Sequence, residues 1–278
     1  MAKRRYDSAW QTLLHDKLNL PYILHVSLRQ KTKKPRATVV FLHGIGNSGQ
    51  AWRSVINQLP TDVRVLSIDL LGHGQSPKPQ NLTYNVQVQA KAVAATLLQQ
   101  RALGKVVMVG HSMGGLISIE LAKRYPYLID SLILCSPPLY GNDEYVRLPR
   151  RERQLKRFYG YLRDNPDKVP RLARLAKRSK IMGETFTIDQ QTLRPFLGAL
   201  EASILSQTSL DDASNLTRPF TIIHGKYDPL VLRKYLQTAV ANNPLGAFTE
   251  IVAHHDIRGK RYINAVVDAI KLNLIRTK

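Results

Sequence analysis

Short apolar runs alternate along this chain with segments whose apolar residues recur every three to four positions. The runs are Tyr22–Leu28, Thr38–Leu42, Arg64–Ile68, Val106–Val109, Leu132–Cys135, Phe220–His224 and Phe248–Val252. Their length and their β-branched and aliphatic content predict buried strands. Helical spacing occupies Gln50–Leu59, Thr83–Gln100, Gly115–Tyr125, Val231–Ala241 and Tyr262–Ile275. Strand and helix in alternation predict an α/β fold: a mostly parallel central sheet of about eight strands, with helices on both faces. No helix separates the first two runs, so the sheet is expected to begin with an antiparallel edge.

The alternation lapses between about Leu139 and Thr217, where helical patterns run over Arg147–Arg163 and Val169–Lys180. This divides the chain into a core, residues 1–138 and 215–278, and a helical cap inserted at 139–214. A cap there would shape a pocket over the carboxyl edge of the sheet and exclude water. Its second helix carries Arg171, Arg174 and Arg178 as a basic stripe.

Composition narrows the classes. The apolar share of 44 % suits a full globular core. No apolar stretch reaches the ~18 residues of a membrane span. No apolar h-region follows the basic N-terminus, which argues against a cleaved secretory signal. Cys135 is the single cysteine, so no intrachain disulfide forms and a cytoplasmic location is expected. The net charge is +21, with 13 basic and 5 acidic side chains between residues 141 and 180. Such a charge favours anionic partners; weak association with an anionic membrane surface fits better than nucleic acid, for which no recognition motif is present.

The chemistry starts at Gly110-His-Ser-Met-Gly-Gly115, between a strand and a helix. Gly-x-Ser-x-Gly at such a junction is a nucleophile elbow that exposes a serine hydroxyl, here Ser112. As a bare motif it reads equally as a helix N-cap. A serine needs a base and an orienting acid, and both should follow later strands at the same sheet edge. Asp228, in HGKYDPLV, is the acid; its position before Pro229 also suits a helix cap. The base is His254 or His255, which strand alternation points in opposite directions. His255 is preferred, because it lies further past the strand and has Asp256 beside it. Backbone N–H groups of Met113, at a helix start, and of Ile45, in the glycine turn His43-Gly-Ile-Gly46, would hold an oxyanion. His43, Asp69 and His73 are assigned to loop structure, and Gly44 and His111 to substrate binding.

The stretches FLHGIGNS, SIDLLGHGQS, VGHSMGG, HGKYDP and VAHHDI, in this order, resemble the α/β-hydrolase fold superfamily over about residues 20–140 and 215–278. The resemblance implies Ser112 as nucleophile, Asp228 as acid and His255 as base, with Ile45 and Met113 framing the oxyanion hole. Members often carry Gly before the last histidine, where His254 stands here, so the two histidines remain alternatives at this stage. The implied reaction is cofactor-free and metal-free cleavage of a small-molecule carboxylic ester through an acyl-enzyme. The rivals are a carbon–carbon bond hydrolase of diketone-like substrates on the same triad and a non-catalytic basic binding protein.

Overall fold

The computed structural model describes residues 15, 18, 20–102, 104–140, 150–178, 183, 185–206 and 209–275. Seven strands form one sheet: β1 (Val26–Gln30), β2 (Thr38–Leu42), β3 (Arg64–Ile68), β4 (Val106–His111), β5 (Ser131–Cys135), β6 (Phe220–Gly225) and β7 (Gly246–Ile251). Their spatial order is β1-β3-β2-β4-β5-β6-β7. Only β1 runs antiparallel, against β3; every other pair is parallel.

Each parallel pair is closed by a helical crossover or a longer segment. The helices are α1 (Arg53–Ile56), α2 (Val86–Gln99), α3 (Met113–Arg124), α4 (Arg150–Asp164), α5 (Val169–Arg178), α6 (Leu193–Ala199), α7 (Ser209–Ser214), α8 (Arg233–Ala241) and α9 (Lys260–Ile275). Helices α4 to α7 lie between β5 and β6, and a π-helical stretch, Leu200–Leu205, continues α6.

The period of two in β2 builds both halves of the core. Val40 and Leu42 join one apolar cluster with α2, α3 and α8. Val39 and Phe41 join the other, with Trp52, Tyr262, Val266 and Ile270. Every residue of β2, β4 and β5 is buried, as expected of strands covered on both faces. Their continuous apolar runs are the sequence mark of that burial.

Two expectations are corrected. The first strand starts at Val26 rather than Tyr22. Tyr22 and Leu24 are buried, but the backbone around them is claimed by side chains. The Leu24 N–H donates to Thr96 Oγ1 at 2.9 Å and the His25 N–H to Ser76 Oγ at 2.8 Å, so neither extends the ladder. The helix expected over Gln50–Leu59 is a 3-10 turn, Gly49–Trp52, followed by the single turn of α1. Positions 147–149 and 179–180 of the two expected insertion helices lie outside the described residues.

Candidate active site

The carboxyl edges of β2, β4, β5 and β6 meet at one rim. β4 runs directly into Ser112, whose φ of 53° and ψ of −120° place a non-glycine residue in a region that costs of order 1–3 kcal/mol. The surrounding residues permit the turn. A methyl on Gly110 would collide with the Gly114 carbonyl, and one on Gly114 with the Leu42 carbonyl. The Ser112 N–H donates to the Cys135 carbonyl at 2.9 Å, and the Gly115 N–H to the Ser112 carbonyl at 2.8 Å. The elbow is thereby tied to β5 on one side and to α3 on the other.

Asp228 sits in the turn after β6, its N–H bonded to the Gly225 carbonyl at 2.9 Å. Its carboxylate is almost wholly buried. One oxygen accepts the Leu230 N–H at 2.8 Å, and the other lies 2.7 Å from His255 Nδ1. A buried, acid-paired ring nitrogen of this kind is the donor, which leaves Nε2 as the lone-pair nitrogen of the neutral ring. His254 is exposed and turns instead to the Tyr227 carbonyl, 3.3 Å from its Nδ1. Geometry thus pairs Asp228 with His255 and not with its neighbour.

Ser112, His111 and His255 line one cavity of about 140 Å³, together with Gly44 and Ile45 from the loop after β2. A methyl on Gly44 would stand 3.2 Å from Ser112 Cβ and 3.1 Å from His111 Nδ1, so this loop runs directly alongside the serine. Met113 is buried at the first position of α3. The remaining wall is mostly apolar, Asn47 and Asp256 being its polar members, and comes largely from the 150–205 segment, including Tyr159, Val169, Ala173 and Phe196.

A model of the alpha/beta hydrolase fold matches residues 37–189, more than half of the chain. The chain belongs to this family. The α/β hydrolase is 32 % identical over 130 residues to a protein named probable lysophospholipase BODYGUARD 1 of Arabidopsis thaliana. That match covers 45 % of this chain and 28 % of the other. It is 35 % identical over 111 residues to lipase LipV of Mycobacterium tuberculosis, covering 40 % of this chain and 41 % of that one. These matches therefore span less than half the length of either curated relative. Among solved structures, an esterase of Exiguobacterium antarcticum superposes with a TM-score of 0.72 at 16 % identity, over 92 % of this chain and 99 % of that one. That likeness is one of fold.

The electrostatics of the hydrolase separate its histidines. Burial works to lower the His255 pKa, but the adjacent Asp228 carboxylate outweighs it and the value is raised above 6.5. Burial likewise opposes ionisation of Asp228, yet His255 and three donated hydrogen bonds hold its pKa down at about 2. His111, fully enclosed and beside the His255 ring, has its pKa lowered by burial first and by that neighbour second. Its Nε2 donates to the His255 backbone carbonyl at 2.9 Å, which ties down the loop that carries His255.

The residues assigned to loop structure occupy structural positions. His43 donates from Nδ1 to the Gly44 carbonyl at 2.7 Å and accepts the Leu70 N–H on Nε2 at 2.9 Å. Asp69 accepts from Gly49 and Gln75 N–H groups, each at 2.8 Å, and from Ser27 and His25 side chains. His73 is buried against His43, and burial lowers its pKa to about 3.

Two features escaped the sequence reading. Ser136, at φ 45° just past β5, hydrogen-bonds Asp228 and lies 3.0 Å from the Tyr262 hydroxyl. Its only signal was its place at a strand's carboxyl end. The second is a clamp between the loop after β2 and the 185–187 stretch. Thr185 Oγ1 donates to Asn47 Oδ1 at 2.6 Å, the Thr187 N–H donates to the Gly46 carbonyl at 2.8 Å, and the Phe186 ring fills the space over Gly46. No local pattern announces a contact between residues so far apart in sequence.

Proposed function

We propose that this hydrolase cleaves carboxylic esters with an apolar acyl group, by a Ser112–His255–Asp228 triad. The observation that carries the reading is the 2.7 Å pairing of His255 with a buried Asp228, in a loop that shares one apolar cavity with the strained Ser112. Names among the relatives (lysophospholipase, lipase) and among the fold neighbours (esterase) support the same class.

In this mechanism His255 Nε2 takes the Ser112 hydroxyl proton as Oγ attacks the ester carbonyl. The N–H groups of Ile45 and Met113 hold the oxyanion, the latter helped by the α3 dipole. Imidazolium then protonates the departing alcohol. Water, deprotonated by His255, attacks the acyl-enzyme, and Ser112 recovers its proton as the acid leaves. Asp228 holds the ring and stabilises the imidazolium throughout. Gly44 and His111 border the acyl carbon. Helices α4 to α6 act as the cap, and their apolar side chains receive the acyl chain.

The test is labelling with a fluorophosphonate, followed by peptide mapping and turnover of p-nitrophenyl esters of rising chain length. Labelling is expected at Ser112, lost in Ser112→Ala and His255→Ala and retained in His254→Ala. Turnover of diketones with none of any ester would remove the esterase reading.

A further inference from the structure

Two helices over the cavity share an arrangement that ester chemistry does not require. In α5, Val169, Leu172, Ala173 and Ala176 face the cavity. Arg171, Arg174 and Arg178 stand exposed on the opposite side of the same helix. Leu172 and Leu175, 36 % and 50 % exposed, follow the flank between these faces. α4 repeats the layout, with Phe158 and Tyr161 at 49 % and 45 % exposure beside exposed Arg153 and Arg157. Phe158 and Leu172 belong to both surfaces: they line the cavity and reach solvent.

The charge is left largely uncompensated. Among the described residues the ion pairs of these helices are Lys156–Glu152, Arg163–Asp164 and Arg163–Glu201. Arg171, Arg174 and Arg178 have none. Exposed leucines and aromatics flanked by arginines with no acidic partner among the described residues suit the boundary between anionic headgroups and acyl chains, where each side chain meets its own phase. A nucleic-acid phosphate track would match the arginines and leave Leu172 and Leu175 in water.

We propose that this face docks on an anionic lipid bilayer, so that a membrane-borne acyl ester passes between Phe158 and Leu172 into the cavity. Docking is independent of catalysis; the passage of substrate rests on the ester reading above.

The experiment uses Ser112→Ala full-length protein and sedimentation with lipid vesicles. Binding is expected to phosphatidylglycerol–phosphatidylcholine vesicles, and not to phosphatidylcholine alone or in molar salt. Arg171→Gln/Arg174→Gln/Arg178→Gln should weaken it about a hundredfold, from about 1 kcal/mol for each basic side chain near an anionic surface. Leu175→Ser should weaken it about fivefold, by removing apolar area that would enter the bilayer. In the Ser112 background, both variants should keep the parent's thermal midpoint and its turnover of a soluble short-chain ester, since none of these side chains lines the cavity. Equal binding to neutral vesicles, unchanged binding of the triple variant, or tighter retention on duplex DNA than on anionic vesicles would overturn the proposal. Vesicle binding with no ester turnover would support docking and sink the ester reading alone; turnover without vesicle binding would do the reverse.

Discussion

At the scale of single residues, the site depends on one buried carboxylate. Asp228 keeps the His255 Nδ1–H in place and raises the ring's pKa above 6.5. A general base must be unprotonated, so the acid limb of kcat/KM is expected above the ordinary imidazole value. Asp228→Asn should move that limb to lower pH and cut kcat by about 10³–10⁴, read from a pH–rate profile. Ser136 touches no substrate in this scheme; it is a positioning residue acting through Asp228. Ser136→Ala should lower kcat about tenfold with KM held and shift the same limb, as loss of one charge-assisted hydrogen bond implies. A merely structural role would leave the limb where it is. Gly114→Ala forces a methyl against the Leu42 carbonyl and should destabilise the fold by about 2 kcal/mol or more, measured by urea denaturation. The three residues of the proposed triad, Ser112, Asp228 and His255, could be singled out in the sequence, because each follows a strand within a short motif. Ser136 was not, since a serine after a strand carries no pattern until its acid partner is placed beside it.

At the scale of elements, local chemistry decided how far the reading held. β2 and β3 begin and end where the apolar runs do, because both are interior strands with no competing partner for their backbones. β1 starts four residues late, because the Thr96 and Ser76 hydroxyls, more than fifty positions away, take N–H groups that alternation had assigned to a ladder. Helices α4 and α5 were visible from periodicity, whereas α6 and its π-helical continuation were not, and no apolar face could be assigned to a cavity without knowing what it covers. Their role in chain-length selection is open to direct measurement. Ala176 lines the cavity on α5. Ala176→Trp should lower kcat/KM for long acyl esters at least about tenfold and leave acetate esters within about twofold, since apolar fit changes by about 1–3 kcal/mol per methylene lost.

Across the whole molecule, buried histidines couple the fold to pH. His43, His73 and His111 are enclosed, and burial lowers the pKa of each below 6.5. The folded protein therefore resists protons that the unfolded chain accepts, and stability falls as pH drops below about 6.5. For His73 alone, with its pKa near 3, the loss is about 2 kcal/mol by pH 5. Asp228 acts at lower pH: its stabilisation is present above the ordinary carboxylate range and is lost as pH falls through about 2. Thermal midpoints recorded from pH 7 to 5 should decline steadily, and His73→Asn should flatten that slope.

The fastening of Thr185 and Thr187 to Asn47 and Gly46 has a mechanical corollary. Residues 185–187 are stitched to the very turn that carries Ile45, whose amide is a proposed oxyanion donor. Under the proposed mechanism, any displacement of residues 185–187 that breaks these two bonds would carry that amide out of register, so transition-state support would be complete only with both bonds made.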